Sequence, residues 1–221
     1  MQRNPLNRNQ ILYTQPYYQG LPVLPQPDGM IESYLGRLQQ VIDTTLNDYA
    51  RVFAFRVDLR FPAYCQGVSW LLQESGNVTI TKFIASFKAK MKYCRAIARQ
   101  SNRYAHDSVV RYVWTREVGA EGMLHYHLAI LLNREAFATL GTFELGRRNI
   151  YNRLTEAWAS ALGITVEAAA GLVNIPDNAG YYLSRGDLDG QAAFFCRASY
   201  LCKASTKSTS KGHHGFGFSR N

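Results

Sequence analysis

The chain lacks any apolar run long enough to cross a bilayer, any glycine-rich GxxxxGK[ST] loop, any internal repeat and any CxxC pair. A spanning helix needs about 20 consecutive apolar residues, and the opening MQRNPLNRNQ has no apolar signal core either. The expectation is therefore a cytoplasmic protein with no membrane contact. Without a phosphate loop, the chain is not expected to unwind duplexes by itself. Cys65, Cys94, Cys196 and Cys202 are too few and too scattered for a zinc ribbon or a disulfide scaffold. Acidic residues are also scarce, with 16 Asp and Glu against 25 Lys and Arg, a formal net charge of +9 and a pI near 9.5. Such an excess favours a polyanionic partner, because Lys and Arg gain affinity by displacing counterions from phosphates. A merely basic soluble protein has the same composition.

What is present suits one sizeable core: 221 residues, 47% of them hydrophobic. Five prolines among Asn, Gln and Tyr disfavour helix over residues 1–27 and predict an extended arm, either wrapped on the domain or free of it. The domain proper then runs over 28–221. Asp28 can cap a helix whose apolar positions, Ile31, Leu35, Leu38, Val41, Ile42 and Leu46, recur at three and four residues, ending near Ala50. From Val52 to Phe61 the period becomes two, as in a strand with one buried face. After a loop with Pro62, Gly67 and Gly76, Thr79 can cap a basic helix reaching about Asn102. Val109–Glu117 and His125–Leu132 read as a hairpin. A helix over Arg147–Ala161 stops at Gly163, a short strand is possible at Leu172–Ile175, and Phe194–Lys203 reads as a further helix. The Ser, Thr, Lys, Gly and His of 205–215, including His213 and His214, predict a flexible, solvated tail before a last strand at Phe216–Ser219.

The most specific short signal is His125-Tyr126-His127. On a strand, residues i and i+2 project from one face, so the two imidazoles can converge on one ion. Glu117 lies on the opposing strand of the hairpin, in same-parity register with either histidine, which gives two imidazoles and one carboxylate with open positions. Such a set suits a divalent ion that polarises a phosphate oxygen, Mg2+ or Mn2+. Asp58 shares a strand face with Arg56 and Arg60, as their ion-pair partner or as a neighbour of the metal. Tyr112, Trp114 and Tyr126 point to the other face as sheet packing, and Arg116 beside them reads as solvated. Arg56 and Arg60 on their strand, and Lys88, Lys92 and Arg95 on the basic helix, are the candidate DNA contacts, although a solvated helix face explains the latter equally well.

RYVWTREVGAEGMLHYHLAILL resembles the metal motif of HUH endonucleases, VFAFRVDLRFP their first motif and ASYLCK, residues 198–203, their Tyr-x-x-Lys motif. The order of strand, histidines and then tyrosine is that of rolling-circle replication initiators. With YYQGLPV and the closing FGFSRN, the succession is similar to the inovirus-type replication-protein family of phages and prophages, over nearly the whole chain. This resemblance implies an α+β fold, a central antiparallel sheet with an HUH-type (RRM/palm-like) core flanked by helices. It implies metal-dependent nicking and joining of single-stranded DNA at an origin or hairpin, in the cytoplasm of a host bacterium, with a host helicase and polymerase as possible partners. The nucleophile it implies is Tyr200, with Lys203 one turn on to support the tyrosinate or the phosphate. Tyr182 competes, since Arg185 stands at the same offset, and it can also be read as a second nucleophile. The alternative for Tyr200 is a core tyrosine of an amphipathic helix.

Two other classes fit part of the pattern. A cupin-like oxygenase shares Gly119 followed by five residues and His-x-His, but Leu131 and Leu132 stand where its glutamate is expected, and long helices do not suit a β-barrel. A DNA-binding protein with the same fold and no catalysis predicts binding without cleavage.

Overall fold

The alternating stretch around Phe55 does form a strand, and the computed structural model, which describes residues 2–65, 77–119, 122–205 and 215–220, shows what it joins. In chain order the elements are β1 (Gln2–Asn4), β2 (Asn7–Tyr13), β3 (Tyr17–Tyr18), β4 (Leu21–Pro22), β5 (Met30–Ile31), α1 (Glu32–Asp48) and β6 (Arg51–Arg60). There follow α2 (Val78–Ser101), β7 (Arg111–Val118), β8 (Leu124–Asn133), α3 (Ile150–Leu162), β9 (Val173–Asn174), β10 (Gly180–Ser184), α4 (Leu188–Ser199) and β11 (Phe216–Phe218). The fold is α+β. Its main sheet is antiparallel in the order β10-β6-β8-β7-β11, with β9 pairing further along the outer edge of β6.

Both faces of this sheet are covered, not one. Phe53, Phe55, Val57 and Leu59 of β6 pack with α2 and α3, whose Phe83, Phe87 and Trp158 are fully buried. Each such ring removes enough apolar surface to contribute about 1.5–3 kcal/mol. Trp158 also donates its Nε1–H to the Arg60 carbonyl at 2.8 Å, fixing α3 over the end of β6. On the opposite face Val52 and Ala54 meet α1 and α4, through Leu35, Leu38, Phe194 and Phe195. Val113 of β7 and Ala129 and Leu131 of β8 complete this layer. Further along the strands the same face carries polar side chains, of which Arg56 and Glu117 meet Tyr200 and Lys203 of the turn after α4.

The sequence signals locate the helices better than their starts. Asp28 is exposed and caps nothing: β5 draws Met30–Ile31 into pairing with Leu12–Tyr13, so α1 begins at Glu32 with no side-chain cap. Thr79 lies inside the first turn of α2, behind Asn77. Asn149 caps α3 by accepting from the Asn152 amide, and Gly163, at φ 70, ends it. Asp187 caps α4, which begins at Leu188, six residues before the expected Phe194, and stops at Ser199, before the expected end. β10 was not foreseen. Residues 66–76 of the predicted loop, and 206–214 of the predicted tail with His213 and His214, lie outside the described residues.

The arm is wrapped and structured. β1, β2 and β5 form a small antiparallel sheet, and β3 and β4 a hairpin whose turn has Gln19 and Gly20 at positive φ. Val23 and Met30 are buried in the α1/α4 layer. The Leu24 amide donates to Ser199 Oγ at 3.0 Å, the Ala204 amide donates to the Gly29 carbonyl at 3.0 Å, and Met30 bridges to Lys203. The N-terminal segment therefore clamps the turn that follows α4.

Candidate metal and tyrosine site

Strand register brings the candidate ligands together. Glu117 of β7 stands directly across from His125 of β8, and Asp58 of β6 across from His127. The donor atoms of Glu117, His125 and His127 lie within 4.8 Å of one another, so small shifts suffice to close them on one ion. His127 Nδ1 is 2.6 Å from Asp58 Oδ1, while its Nε2 faces Glu117 Oε2 at 3.5 Å. With the Nδ1 proton held by Asp58, Nε2 is the atom offered to the site. This is how an outer carboxylate orients a ligating histidine. His125 Nδ1 lies 3.3 Å from the Met123 carbonyl, which leaves its Nε2 free in the same way. Glu117 and His127 are buried, and His125 opens toward solvent. The donor set of two imidazoles and a carboxylate, held by an outer carboxylate, fits a divalent cation.

Charge is balanced around these groups. Burial works against a charge on His127, but its hydrogen bonds to Asp58 and Glu117, and their negative charges, raise its pKa overall. Burial and the neighbouring His127 push His125 the other way. Burial likewise opposes the Asp58 charge, yet His127 and Arg56 hold its pKa below the ordinary carboxylate range.

Tyr200 comes to the site from α4. The α-helix ends at Ser199 and the chain tightens into a 3-10 turn over Tyr200–Cys202, so Lys203 is not one α-helical turn along the same helix as the sequence suggests. In a 3-10 turn residues i and i+3 eclipse, and Lys203 folds back over its neighbour. Its ammonium donates to Tyr200 Oη at 2.6 Å and pairs with Glu117 Oε2 at 2.8 Å. Burial disfavours the Lys203 charge, but the bonds to Glu117 and Tyr200 raise its pKa. The Tyr200 ring stands edge-on to His127, centroids 5.7 Å apart, with the buried Arg56 guanidinium 5.2 Å above it. Arg56 is also paired with Asp58 at 3.2 Å.

The other candidates are distributed differently. Arg60 sits at the exposed rim of a cavity shared with both histidines. Tyr182 is on the opposite face of the sheet, beside Phe53, and its hydroxyl donates to the Ala138 carbonyl at 3.0 Å. Arg185 is bound to the carbonyls of Leu46 and Asn47. Lys88, Lys92 and Arg95 belong to α2, behind the sheet, where Lys88 lies over Tyr112 and Arg95 over Phe137. Tyr112, Trp114 and Tyr126 pack on that face as expected. Arg116 does not behave as expected: it is fully buried, and among the described residues none of its guanidinium nitrogens has a hydrogen-bond partner. What the sequence hides is the clamp at Gly29 and Met30, since no local pattern couples those residues to Lys203.

A family model described as the YagK/YfjJ C-terminal domain matches residues 13–219. Among curated proteins, the chain is 32% identical over 197 residues to uncharacterized protein YfjJ of Escherichia coli (strain K12), covering 86% of this chain and 95% of that protein. It is 27% identical over 202 residues to uncharacterized protein YagK of the same organism, covering 86% and 93%. No solved structure matches.

Proposed function

The chain belongs to the YagK/YfjJ C-terminal domain family, and from the geometry of its site we propose that it is a metal-dependent enzyme that nicks and rejoins single-stranded DNA through Tyr200. The observation that carries this reading is the continuous path from Tyr200 Oη through Lys203 Nζ to Glu117 of the metal-binding triad, with contacts of 2.6 and 2.8 Å. A buried core tyrosine has no need of an ammonium bridged to a metal ligand. The HUH resemblance supports the same assignment, with β6, β8 and the turn after α4 carrying the three motifs. Initiation of rolling-circle replication of a phage or mobile element is the biological form of this reaction.

Glu117, His125 and His127 would hold Mg2+ or Mn2+, which when bound supplies charge neutralisation at the phosphoryl oxygens. Asp58 keeps Nε2 of His127 directed inward, and Arg56 and Lys203 hold the tyrosine ring and oxygen. The phenolic proton leaves to solvent, the Oη–P bond forms, and the P–O3′ bond breaks in line with it as the 3′ oxygen takes up a proton. Lys203 stays charged throughout and offsets the negative charge that develops on Oη. The products are a 5′-phosphotyrosine and a free 3′-hydroxyl. The hydroxyl can prime a polymerase, and attack by a 3′-hydroxyl on the phosphotyrosine reverses the step.

The test is incubation with circular single-stranded phage DNA and Mn2+ or Mg2+, followed by a denaturing gel. A shifted covalent adduct is expected from wild type and from Tyr182→Phe, and none from Tyr200→Phe. DNA binding with no adduct under any of these conditions sinks the reading in favour of a silent binding protein. The cupin reading has no support: the sheet is open, helices cover both faces, and Leu131 and Leu132 are buried in the two apolar layers.

A further inference from the structure

Beside the two histidines, on the side where neither Tyr200 nor Lys203 reaches, the sheet ends in a cavity of about 650 Å³. Its volume is within the roughly 300–1,000 Å³ typical of small-ligand sites. His125, His127 and Asp58 form one wall, Phe61, Met123, Leu124 and Leu172 give apolar surface, and Arg60 and Ala63 stand at the exposed rim. A purely structural void would be dry and closed, whereas this one is open, joins the metal-binding side chains directly and carries the Arg60 guanidinium at its edge. That combination of flat apolar surface, a rim guanidinium and an adjacent phosphate-activating centre matches a single nucleotide, with its base against the apolar wall and its phosphate toward Arg60.

Stereochemistry then selects which nucleotide. In-line displacement puts the leaving oxygen opposite the attacking one. If Tyr200 approaches the phosphorus from the α4 side, the departing 3′ oxygen points toward the cavity. We infer that this cavity binds the nucleotide immediately 5′ of the nick, the one that leaves with the free 3′-hydroxyl, and that its walls determine which base is accepted there. The inference rests on the nicking reading above. It assigns Arg60, Ala63 and Leu172 to substrate selection and leaves the nucleotide joined to Tyr200 on the other side of the triad.

A randomised single-stranded DNA pool with Mn2+ tests both levels. The released fragments are sequenced at their 3′ terminal base and the covalent adducts at their first base. Wild type should favour one terminal 3′ base by about fivefold or more. Ala63→Trp, which fills the cavity from an exposed position, should flatten that preference while the adduct-side preference, Mn2+ affinity and melting temperature persist. Leu172→Trp fills the cavity from the other wall and serves if Ala63→Trp does not fold. Adducts with no bias at the 3′ terminal base, or a bias that survives a folded filling variant, overturn the cavity assignment and leave the nicking reading standing. Absence of any adduct from wild type overturns the nicking reading, and the cavity assignment with it.

Discussion

At Asp58, one carboxylate orients the His127 ring and, together with Glu117, favours its charged form. Asp58→Asn should therefore have two separable effects. Losing the orienting charge should weaken Mn2+ binding by about 10- to 100-fold at alkaline pH, the range measured for outer-shell partners. It should also lower the His127 pKa, so that proton competition with the metal sets in at more acidic pH. The sign follows from linkage: the folded-state pKa of His127 lies above its ordinary value of 6.5, so in metal-free protein this histidine contributes stability that is complete below about 6.5 and is lost as pH rises through the raised value. Metal binding runs the opposite way and strengthens over that same window. Mn2+ titrations and melting curves from about pH 6 to about pH 8.5 check both directions, and parallel trends in the two would count against a metal at His127. Lys203 offers a related test. Lys203→Met leaves the buried Glu117 without its ammonium and should cost the metal-free protein about 3 kcal/mol, the lower end for breaking a buried pair, with part of the loss restored by Mn2+. Melting with and without the ion would show it.

Among the elements, the margins of the sheet are the most exacting. Gly217 of β11 lies against Trp114, and a Cβ there would come within 2.5 Å of the indole. Gly217→Ala should thus destabilise by about 1–3 kcal/mol, an overpacking cost, measurable by urea unfolding. Asn149→Ala, which removes the α3 cap, should cost about 1 kcal/mol. Elements like these were legible in the sequence where the signal is local. The period of two in β6 and the hairpin of β7 and β8 come straight from side-chain alternation, and the parity of Glu117 with the histidines follows, although only the fold selects His125 as its direct opposite. What was not legible depends on distant partners. Arg56 alternates with apolar residues and Arg116 shares the face of Tyr112 and Trp114, yet both arginines, charged as they are, lie buried because helices cover both faces. α4 was predicted from its apolar core and so started late, since the polar first turn after Asp187 carries little apolar periodicity. Short strands such as β5 and β10 exist only through their pairing partners.

Over the whole molecule, the N-terminal segment and the tyrosine turn are one construction. Removing residues 1–27 should leave the triad of β7 and β8 intact but release Ser199 and, by stripping β2 from β5, loosen the Met30 bridge to Lys203. Such a truncation is expected to retain Mn2+ binding within a few-fold while adduct formation falls by at least about tenfold, a loss of 1.4 kcal/mol in alignment. Equal loss of both would mean the segment supports the fold at large. The main-sheet strands also leave α2, with its Lys88, Lys92 and Arg95, on the face away from the tyrosine. Charge reversal there should change DNA affinity and its salt dependence more than the adduct yield at saturating DNA.

The bond between Leu24 and Ser199 spans 175 residues, and this separation has a consequence during synthesis. The arm leaves the ribosome before the histidine strand, and the histidine strand before the turn after α4. The clamp cannot close until the turn after α4 has left the exit tunnel, so the arm must wait for its partner. Under the proposed function, a chain cut short between β8 and α4 would keep the triad yet form no covalent adduct with DNA.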